Sequence, residues 1–373
     1  MLQLLLKTEV HKFDTFDLFA KEFNIGKGDL LFTNEFLYTP KMKPLDLECD
    51  VYFQEKYGTT EPTDVMVNSI LSDLKDKDYK RIIAIGGGSV VDIAKWLASE
   101  VPDDIAEAYV GDFKPKHIKE LVIVPTTCGT GSEVTNIAML YLTKTKTKKG
   151  CANDELFADY AVLIPDLVKS LPYEPFMFSA IDALIHAVES YVGRRHTDIS
   201  HMFGRRAIEL LMNGFYEMEK QGPEWRIDHI EDFVLGSNYA GIAFGTAGCN
   251  AVHAMSFPLG GMFKVAHGES NYALFTTVMK YYYKQNPDGV IKDINAVLSD
   301  ILGCSCEGVE VYDRLEDTLS ALIKRKPLRE YGVTEEICGQ MAKLVIEQQQ
   351  RLMTNTYVPM DEETVRNLYL EVL

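Results

Sequence analysis

The sequence predicts an α/β domain built on a parallel sheet, followed by a domain of helices alone. Two observations carry this. Through roughly the first 170 residues, short β-rich runs alternate with helical patterns, as in a parallel sheet covered by helices. From Phe176 onward strand signals fade and helical periodicity runs to the C-terminus. The boundary is expected near Pro172 and Pro175, giving residues 1–175 and 176–373 as the two domains.

Taken in order, Asp29–Thr33 (DLLFT) and Val51–Phe53 read as strands, and Asp64–Leu74 as a helix. Arg81–Ile85 (RIIAI) and Leu121–Val124 (LVIV) are apolar at successive positions, as strands buried on both faces must be. In Ser179–Gly193, Ile181, Leu184, Ile185, Val188, Tyr191 and Val192 share one helical face, and Asp182, His186 and Glu189 share another. The stretch from Phe233 to Phe263 carries no formal charge. Asn238, Asn250 and His253 lie inside it and Pro258 interrupts it, so one tightly packed central helix is expected rather than a membrane span.

Composition narrows the partners. A formal net charge of −17 argues against nucleic acid and against anionic membrane surfaces. Seven cysteines without CxxC spacing suggest neither a disulfide framework nor a thiolate zinc site. The opening MLQLLLKTEV is too short in apolar residues for a signal-peptide core, so a cytoplasmic protein is expected. A homo-oligomer, dimer or larger, is the default expectation.

Two loops suit a nucleotide. After RIIAI come Gly86, Gly87, Gly88 and Ser89, then the helix VVDIAKWLAS. Glycines let backbone N–H groups approach a pyrophosphate, and the helix N-terminus adds unpaired donors and a positive dipole end. Asp92 is expected in the first turn, where it could accept from a ribose hydroxyl. The second strand, LVIVP, runs into Thr126-Thr127-Cys128-Gly129-Thr130-Gly131-Ser132-Glu133, and a second helix is expected to open there. Read as a plain capped helix start, this loop would use Ser132 as N-cap, which leaves the run of hydroxyls and glycines without a role.

The second half holds a set suited to a metal. Asp182 and His186 stand one helical turn apart, on a helix whose Ala183, Ala187 and Ser190 are small and which has no Lys or Arg. A buried carboxylate beside a buried imidazole needs a partner, and a cation supplies one. His253 lies in the uncharged stretch, and His267 follows in Ala266-His267-Gly268-Glu269, a loop or helix start. One carboxylate and three imidazoles without sulfur suit Fe(II), Zn or Mn, and the sequence does not choose among them. Glu189, one turn beyond His186, reads either as the group that orients His186 or as a plain helix-face acid.

GGGSVVDIAK, PTTCGTGSEVTN, IDALIHAVES and the histidine spacing that ends in HGESNY resemble the iron-containing (group III) alcohol dehydrogenases over nearly the whole chain. The resemblance implies a Rossmann-like N-terminal domain and an all-α C-terminal domain, a dehydroquinate synthase-like architecture. It implies Asp182, His186, His253 and His267 as ligands of Fe(II), with Zn the other choice. It also implies a nicotinamide cofactor bound by Gly87, Gly88, Ser89 and Asp92, by Thr126, Thr127, Thr130 and Ser132, and by Lys148. Within the family, QEKYGTTEPTD, SNYAGIAFGTAG and RKPLREYG are most similar to members that interconvert 4-hydroxybutyrate and succinate semialdehyde with NAD.

Two positions depart from many relatives. Phe257 stands where they carry a proposed proton-relay histidine, which leaves the proton to water or to cofactor ribose hydroxyls. Asn34 stands where NAD-using relatives have a ribose-binding Asp; Glu35 beside it supports a lean to NAD over NADP. The small-molecule substrate's distal carboxylate is expected to meet Lys264, with Arg194 and Arg195 behind it. The rival readings are a dehydrogenase of neutral alcohols or diols, and a metal-dependent hydrolase or lyase of a phosphorylated substrate.

Overall fold

The computed structural model describes residues 2–59 and 61–373. The chain forms two compact units. One comprises Leu6–Thr127 and Gly131–Leu171; the other comprises Met1–Leu5, Cys128–Thr130 and Pro172–Leu373. The main division lies between Leu171 and Pro172, and two short segments of the N-terminal half join the helical unit.

Among the described residues the α/β unit holds eight strands: β1 (Glu9–Lys12), β2 (Asp29–Thr33), β3 (Asp50–Phe53), β4 (Arg81–Gly86), β5 (Glu120–Pro125), β6 (Ile137–Leu142), β7 (Thr147–Ala152) and β8 (Tyr160–Leu163). Six form a parallel sheet in the order β1-β8-β5-β4-β2-β3, and β6 and β7 form an antiparallel hairpin. The apolar runs split between the two faces of the sheet. Leu30, Phe32, Ile82, Ala84, Leu121 and Ile123 pack with helices Asp64–Leu74 and Gly88–Leu97. Leu31, Ile83, Ile85, Val122 and Val124 pack with Phe16, Phe19, Leu37 and Leu167 on the other side. Burial on both faces is why these strands show no polar alternation. The expected strands at 29–33, 51–53, 81–85 and 121–124 are present as β2 to β5, and helix Asp64–Leu74 ends where its periodicity does.

Neither β1 nor β7 is announced by a hydrophobic pattern. β1 (EVHK) is an edge strand with largely exposed side chains, and β7 (TKKGCA) is half exposed, so neither shows an apolar period. The expected second helix after LVIVP is absent. Only the one-turn segment Ser132–Val134 forms there, and its N-cap residue is Gly131, so Ser132 is not an N-cap.

In the helical unit, Tyr173–Val192 is buried over most of its surface, including Asp182, His186 and Glu189. It packs with Asp198–Gln221 and Ile230–Ala247. The uncharged stretch is two helices, Ile230–Ala247 and Ala251–Phe263, rather than the single one expected. Gly248 breaks it with φ +76°, and Asn250 Oδ1 then accepts from Ala251 N–H at 2.7 Å to start the next helix. Pro258 lies within that second helix. Among the described residues no helix is long and apolar enough to cross a membrane. Cys304 and Cys306, two residues apart, are joined by a disulfide that the sequence reading does not suggest.

Candidate active site

β4 and β5 are neighbours, and Gly86 pairs with Pro125 at their C-terminal ends, so the loops that follow are adjacent. Thr126 N–H donates to Gly86 O at 3.0 Å, and a Cβ at Gly87 would lie 3.3 Å from Thr127 Cγ2. Gly87 is the N-cap of helix Gly88–Leu97, whose first bond runs from Val91 N–H to Gly87 O. The N–H groups of Gly88, Ser89 and Val90 precede that bond and form the donor end that a pyrophosphate requires.

Asp92 and Ser132 are engaged elsewhere than expected. Asp92 is one turn inside the helix and buried; its Oδ1 accepts from the Ser132 hydroxyl (2.7 Å) and its Oδ2 from Met139 N–H (3.0 Å). Both oxygens thus tie the phosphate-loop helix to the second loop and the hairpin instead of meeting a ribose. Lys95, fully buried, completes the cluster by donating to Ser132 Oγ (2.7 Å) and Ile137 O (2.5 Å). Burial pushes its ammonium down to about 8, against the attraction of Asp92 and Glu133. Burial likewise raises the Asp92 carboxyl, with Lys95 opposing. Lys148, on β7, forms an ion pair with Glu61 at 2.6 Å.

Asn34 follows β2, and its Nδ2 donates to Glu55 Oε2 at 2.8 Å. Glu35 N–H donates to Glu55 Oε1 at 2.5 Å. Glu55, from the turn after β3, places a carboxylate beside position 34, while the Glu35 side chain is exposed.

Asp182, His186, His253 and His267 come together, their ligand atoms all within 4.8 Å of one another. Asp182 Oδ1 lies 3.6 Å from His253 Nε2 and 3.8 Å from His267 Nε2. His186 Nε2 and His253 Nε2 face each other at 3.0 Å. His253 Nδ1 donates to Glu189 Oε2 at 2.6 Å, and His186 Nδ1 donates to Gly129 O at 3.2 Å. Each Nδ1 faces a group that can only accept, so each Nδ1 carries the proton and each Nε2 a lone pair. With both rings neutral, two lone pairs at that distance call for a proton or a metal cation between them.

The electrostatics favour positive charge at this cluster. Burial disfavours a charged Asp182, yet the three imidazoles and Asn271 hold its carboxyl below the ordinary range. Burial disfavours charged His186 and His253, yet Asp182 and Cys249 raise the first, and Cys249 and Glu189 raise the second. A divalent cation fits this donor set, and hard oxygen plus imidazole suits Fe(II) or Zn.

The chain matches the iron-containing alcohol dehydrogenase family over residues 14–165 and the C-terminal region of the Fe-containing alcohol dehydrogenase family over residues 176–373. The chain belongs to this family. Its sequence is 52% identical over 366 residues to the 4-hydroxybutyrate dehydrogenase of Clostridium kluyveri, covering 98% of each chain. Identity to long-chain-alcohol dehydrogenase 1 of Geobacillus thermodenitrificans is 32%, covering 85% of this chain and 82% of that one. The crystal structure of sulfoacetaldehyde reductase from Bifidobacterium kashiwanohense in complex with NAD+ matches with a TM-score of 0.85 at 21% identity, covering 100% of this chain and 99% of that one. That last likeness is one of fold.

In this iron-containing alcohol dehydrogenase the groups behind the histidines differ from those expected. Glu189 orients His253, not His186, and also accepts from Val252 N–H (2.6 Å) and Asn250 N–H (3.1 Å). The group that orients His186 is the backbone carbonyl of Gly129. A Cβ there would lie 2.8 Å from both Cβ and O of Ser179, so glycine is what allows the close approach.

Asn271 Nδ2 donates to Asp182 Oδ1 at 2.6 Å and lies 3.3 Å from His267 Nε2. Phe244 stacks on His186 with centroids 4.2 Å apart. Phe257, in place of the relay histidine, has its ring centroid 6.0 Å from that of His267. HGESNY contains Asn271 and SNYAGIAFGTAG contains Phe244, but spacing alone assigns neither a contact. Lys264 is exposed at the C-cap of the helix carrying His253, with φ +60°. Arg195 donates to Arg351 O and to Thr354 Oγ1.

Proposed function

We propose that the protein is an NAD-dependent 4-hydroxybutyrate dehydrogenase, interconverting 4-hydroxybutyrate and succinate semialdehyde with Fe(II) at the Asp182, His186, His253 and His267 set. The observation that carries this is the 52% identity to the Clostridium kluyveri enzyme across 98% of both chains. When bound, the metal supplies Lewis acidity toward the substrate oxygen and the nicotinamide supplies or takes the hydride.

The chain's own residues do the rest. Glu189 and the Gly129 carbonyl fix the imidazole tautomers so that His253 and His186 present Nε2. Asn271 holds the Asp182 carboxylate, and the rings of Phe244 and Phe257 cover the imidazoles and limit water. The donor end at Gly88, Ser89 and Val90 receives the pyrophosphate, with Thr126 and Thr127 beside it and Thr130 further along the same loop. Asn34 and Glu55 take the ribose hydroxyls, and Glu55 repels a 2′-phosphate. Replacing Glu55 by Gln is therefore expected to raise kcat/KM with NADPH relative to NADH by about 5- to 10-fold, the scale of one screened charge–charge interaction. An unchanged ratio would remove Glu55 from cofactor choice.

Lys264 is assigned to the substrate's distal carboxylate. Lys264→Ala should raise KM for succinate semialdehyde by about tenfold, the scale of one charge-assisted hydrogen bond, and leave butanal unaffected. Equal effects on both aldehydes would end the assignment. Loss of NADH absorbance with succinate semialdehyde beside butanal tests the substrate class. Preference for butanal would make the protein a neutral-alcohol dehydrogenase, and failure to bind NADH would favour non-redox chemistry.

A further inference from the structure

A second group of reactive side chains lies in the link between helices Ile291–Ile301 and Glu310–Leu322. The link reads Leu302-Gly303-Cys304-Ser305-Cys306-Glu307-Gly308-Val309. Gly303 and Gly308 bracket the two cysteines with φ of +58° and +61°, a conformation that glycine adopts readily. Neither cysteine belongs to the group around Asp182.

The link is folded back onto the first helix by contacts that involve no sulfur. Ser299 Oγ donates to Cys304 O at 2.9 Å and to Cys306 O at 3.3 Å. Cys304 N–H donates to Ser299 O at 3.3 Å. Asn295 Nδ2, on a buried side chain, donates to Gly308 O at 2.9 Å. Held in this way, the two Cα atoms stand 5.1 Å apart, inside the usual range for a disulfide. The bond can therefore open and close with the backbone in place.

A bridge across a single residue closes a very short loop and removes little entropy from the unfolded chain, so it adds little as a staple. It is also within reach of small molecules. Both cysteines are half-buried, while Ser305 between them and Glu307 beside them are exposed. The remaining cysteines are poor competitors. Cys128, Cys249 and Cys338 are buried. Cys49 and Cys151 are half-buried, but burial pushes both thiols up, Cys49 to about 11, and the thiolate is the attacking form.

We propose that Cys304 and Cys306 form a thiol–disulfide exchange site that reacts with low-molecular-weight disulfides. One cysteine thiolate attacks a sulfur of the small disulfide, forms a mixed disulfide and expels one small thiolate. The second cysteine attacks the protein sulfur of that mixed disulfide; the Cys304–Cys306 bond forms and the second small thiolate leaves. The two protons lost by the cysteines pass to the two released thiolates. The protein pair is oxidised by two electrons and the small disulfide is reduced by two. Excess small thiol runs the same steps backwards. The site stands independently of the dehydrogenase reading.

The test equilibrates the folded full-length protein anaerobically with graded ratios of reduced and oxidised glutathione. Samples are quenched in acid, free thiols are alkylated, and the mass of the peptide holding both cysteines is measured; circular dichroism verifies the fold at both extremes. The wild type is expected to pass from disulfide to dithiol over about a hundredfold change in the ratio of reduced glutathione squared to oxidised glutathione, as a two-electron couple does. It should return when oxidised glutathione is restored. Cys304→Ser and Cys306→Ser, each folded, should stop at the mixed disulfide with glutathione, because no second thiol is left to displace it. A bond that survives excess reduced glutathione, or two thiols that survive excess oxidised glutathione, overturns the proposal. So does the absence of a mixed disulfide in both variants.

Discussion

Glu189→Gln is expected to weaken metal binding by about 10- to 100-fold, the usual scale for a group that orients a metal-ligating histidine, and to lower turnover with it. Glu189 is fully buried and receives three donors: Val252 N–H on Oε1, and Asn250 N–H with His253 Nδ1 on Oε2. Only a group that accepts at both oxygens satisfies all three. Gln has one oxygen and one NH2. With its NH2 toward Val252, a buried N–H loses its partner, at a cost of about 1–3 kcal/mol. With its NH2 toward His253, the imidazole must move its proton to Nε2, where it points at His186 Nε2 and occupies the place of the cation. Metal per chain and NADH turnover, measured on the same folded preparation, check this. Wild-type metal content and wild-type rate in the variant would contradict it.

Lys95→Met is expected to lower stability by about 3–5 kcal/mol, the usual cost of breaking one side of a buried ionic cluster. The ammonium is fully buried and donates to Ser132 Oγ and Ile137 O, and it faces the buried Asp92 carboxylate. Met fills similar volume but leaves the carbonyl without this donor and Asp92 without its counter-charge. The pH dependence follows from Asp92, whose carboxyl burial already raises. Without Lys95 it rises further. A carboxyl with a folded pKa above its unfolded value contributes stability below the unfolded pKa and loses it as pH rises through the folded one. The deficit of the variant should therefore be largest near neutral pH and shrink in mild acid. Thermal melts of the whole protein at the two pH values check this; an equal melting temperature at neutral pH would contradict it.

The cluster around Lys95 also shows where the sequence stops being legible. GGGSVVDIAK announces a phosphate loop, because glycines after an apolar strand let backbone N–H groups reach a ligand, and the structure puts a helix donor end there. The same string does not say that Asp92 turns inward to Ser132 and Met139, since those partners lie 40 and 47 residues away. Asp182 and His186 are legible because they stand one turn apart on a helix without Lys or Arg. No Lys or Arg on that helix balances the buried carboxylate, and with a histidine beside it the pair suits a cation from outside the chain.

Glu189 is marked by its position as a group behind a histidine, but helical spacing matches it to the wrong one. That spacing points it along its own helix, whereas its partner His253 is 64 residues on. Gly129 is hidden for a different reason: its contribution is a backbone carbonyl, which carries no residue signature. Glu55 is concealed because the acid follows the strand next to the expected one. The single long helix expected from Phe233 to Phe263 is undone by a conformational detail, the positive φ of Gly248. The misplaced side-chain partners share one cause: their contacts form only when distant segments pack together.

Asp182, His186, His253 and His267 as the metal ligands of a 4-hydroxybutyrate dehydrogenase are tested most directly by one measurement. The purified protein is stripped with a chelator, and NADH loss with succinate semialdehyde is followed before and after anaerobic addition of Fe(II). The expected result is no turnover in the stripped protein and its return on adding Fe(II), with none returning in His253→Ala. Full turnover in the stripped protein, or equal restoration in His253→Ala, would contradict the assignment.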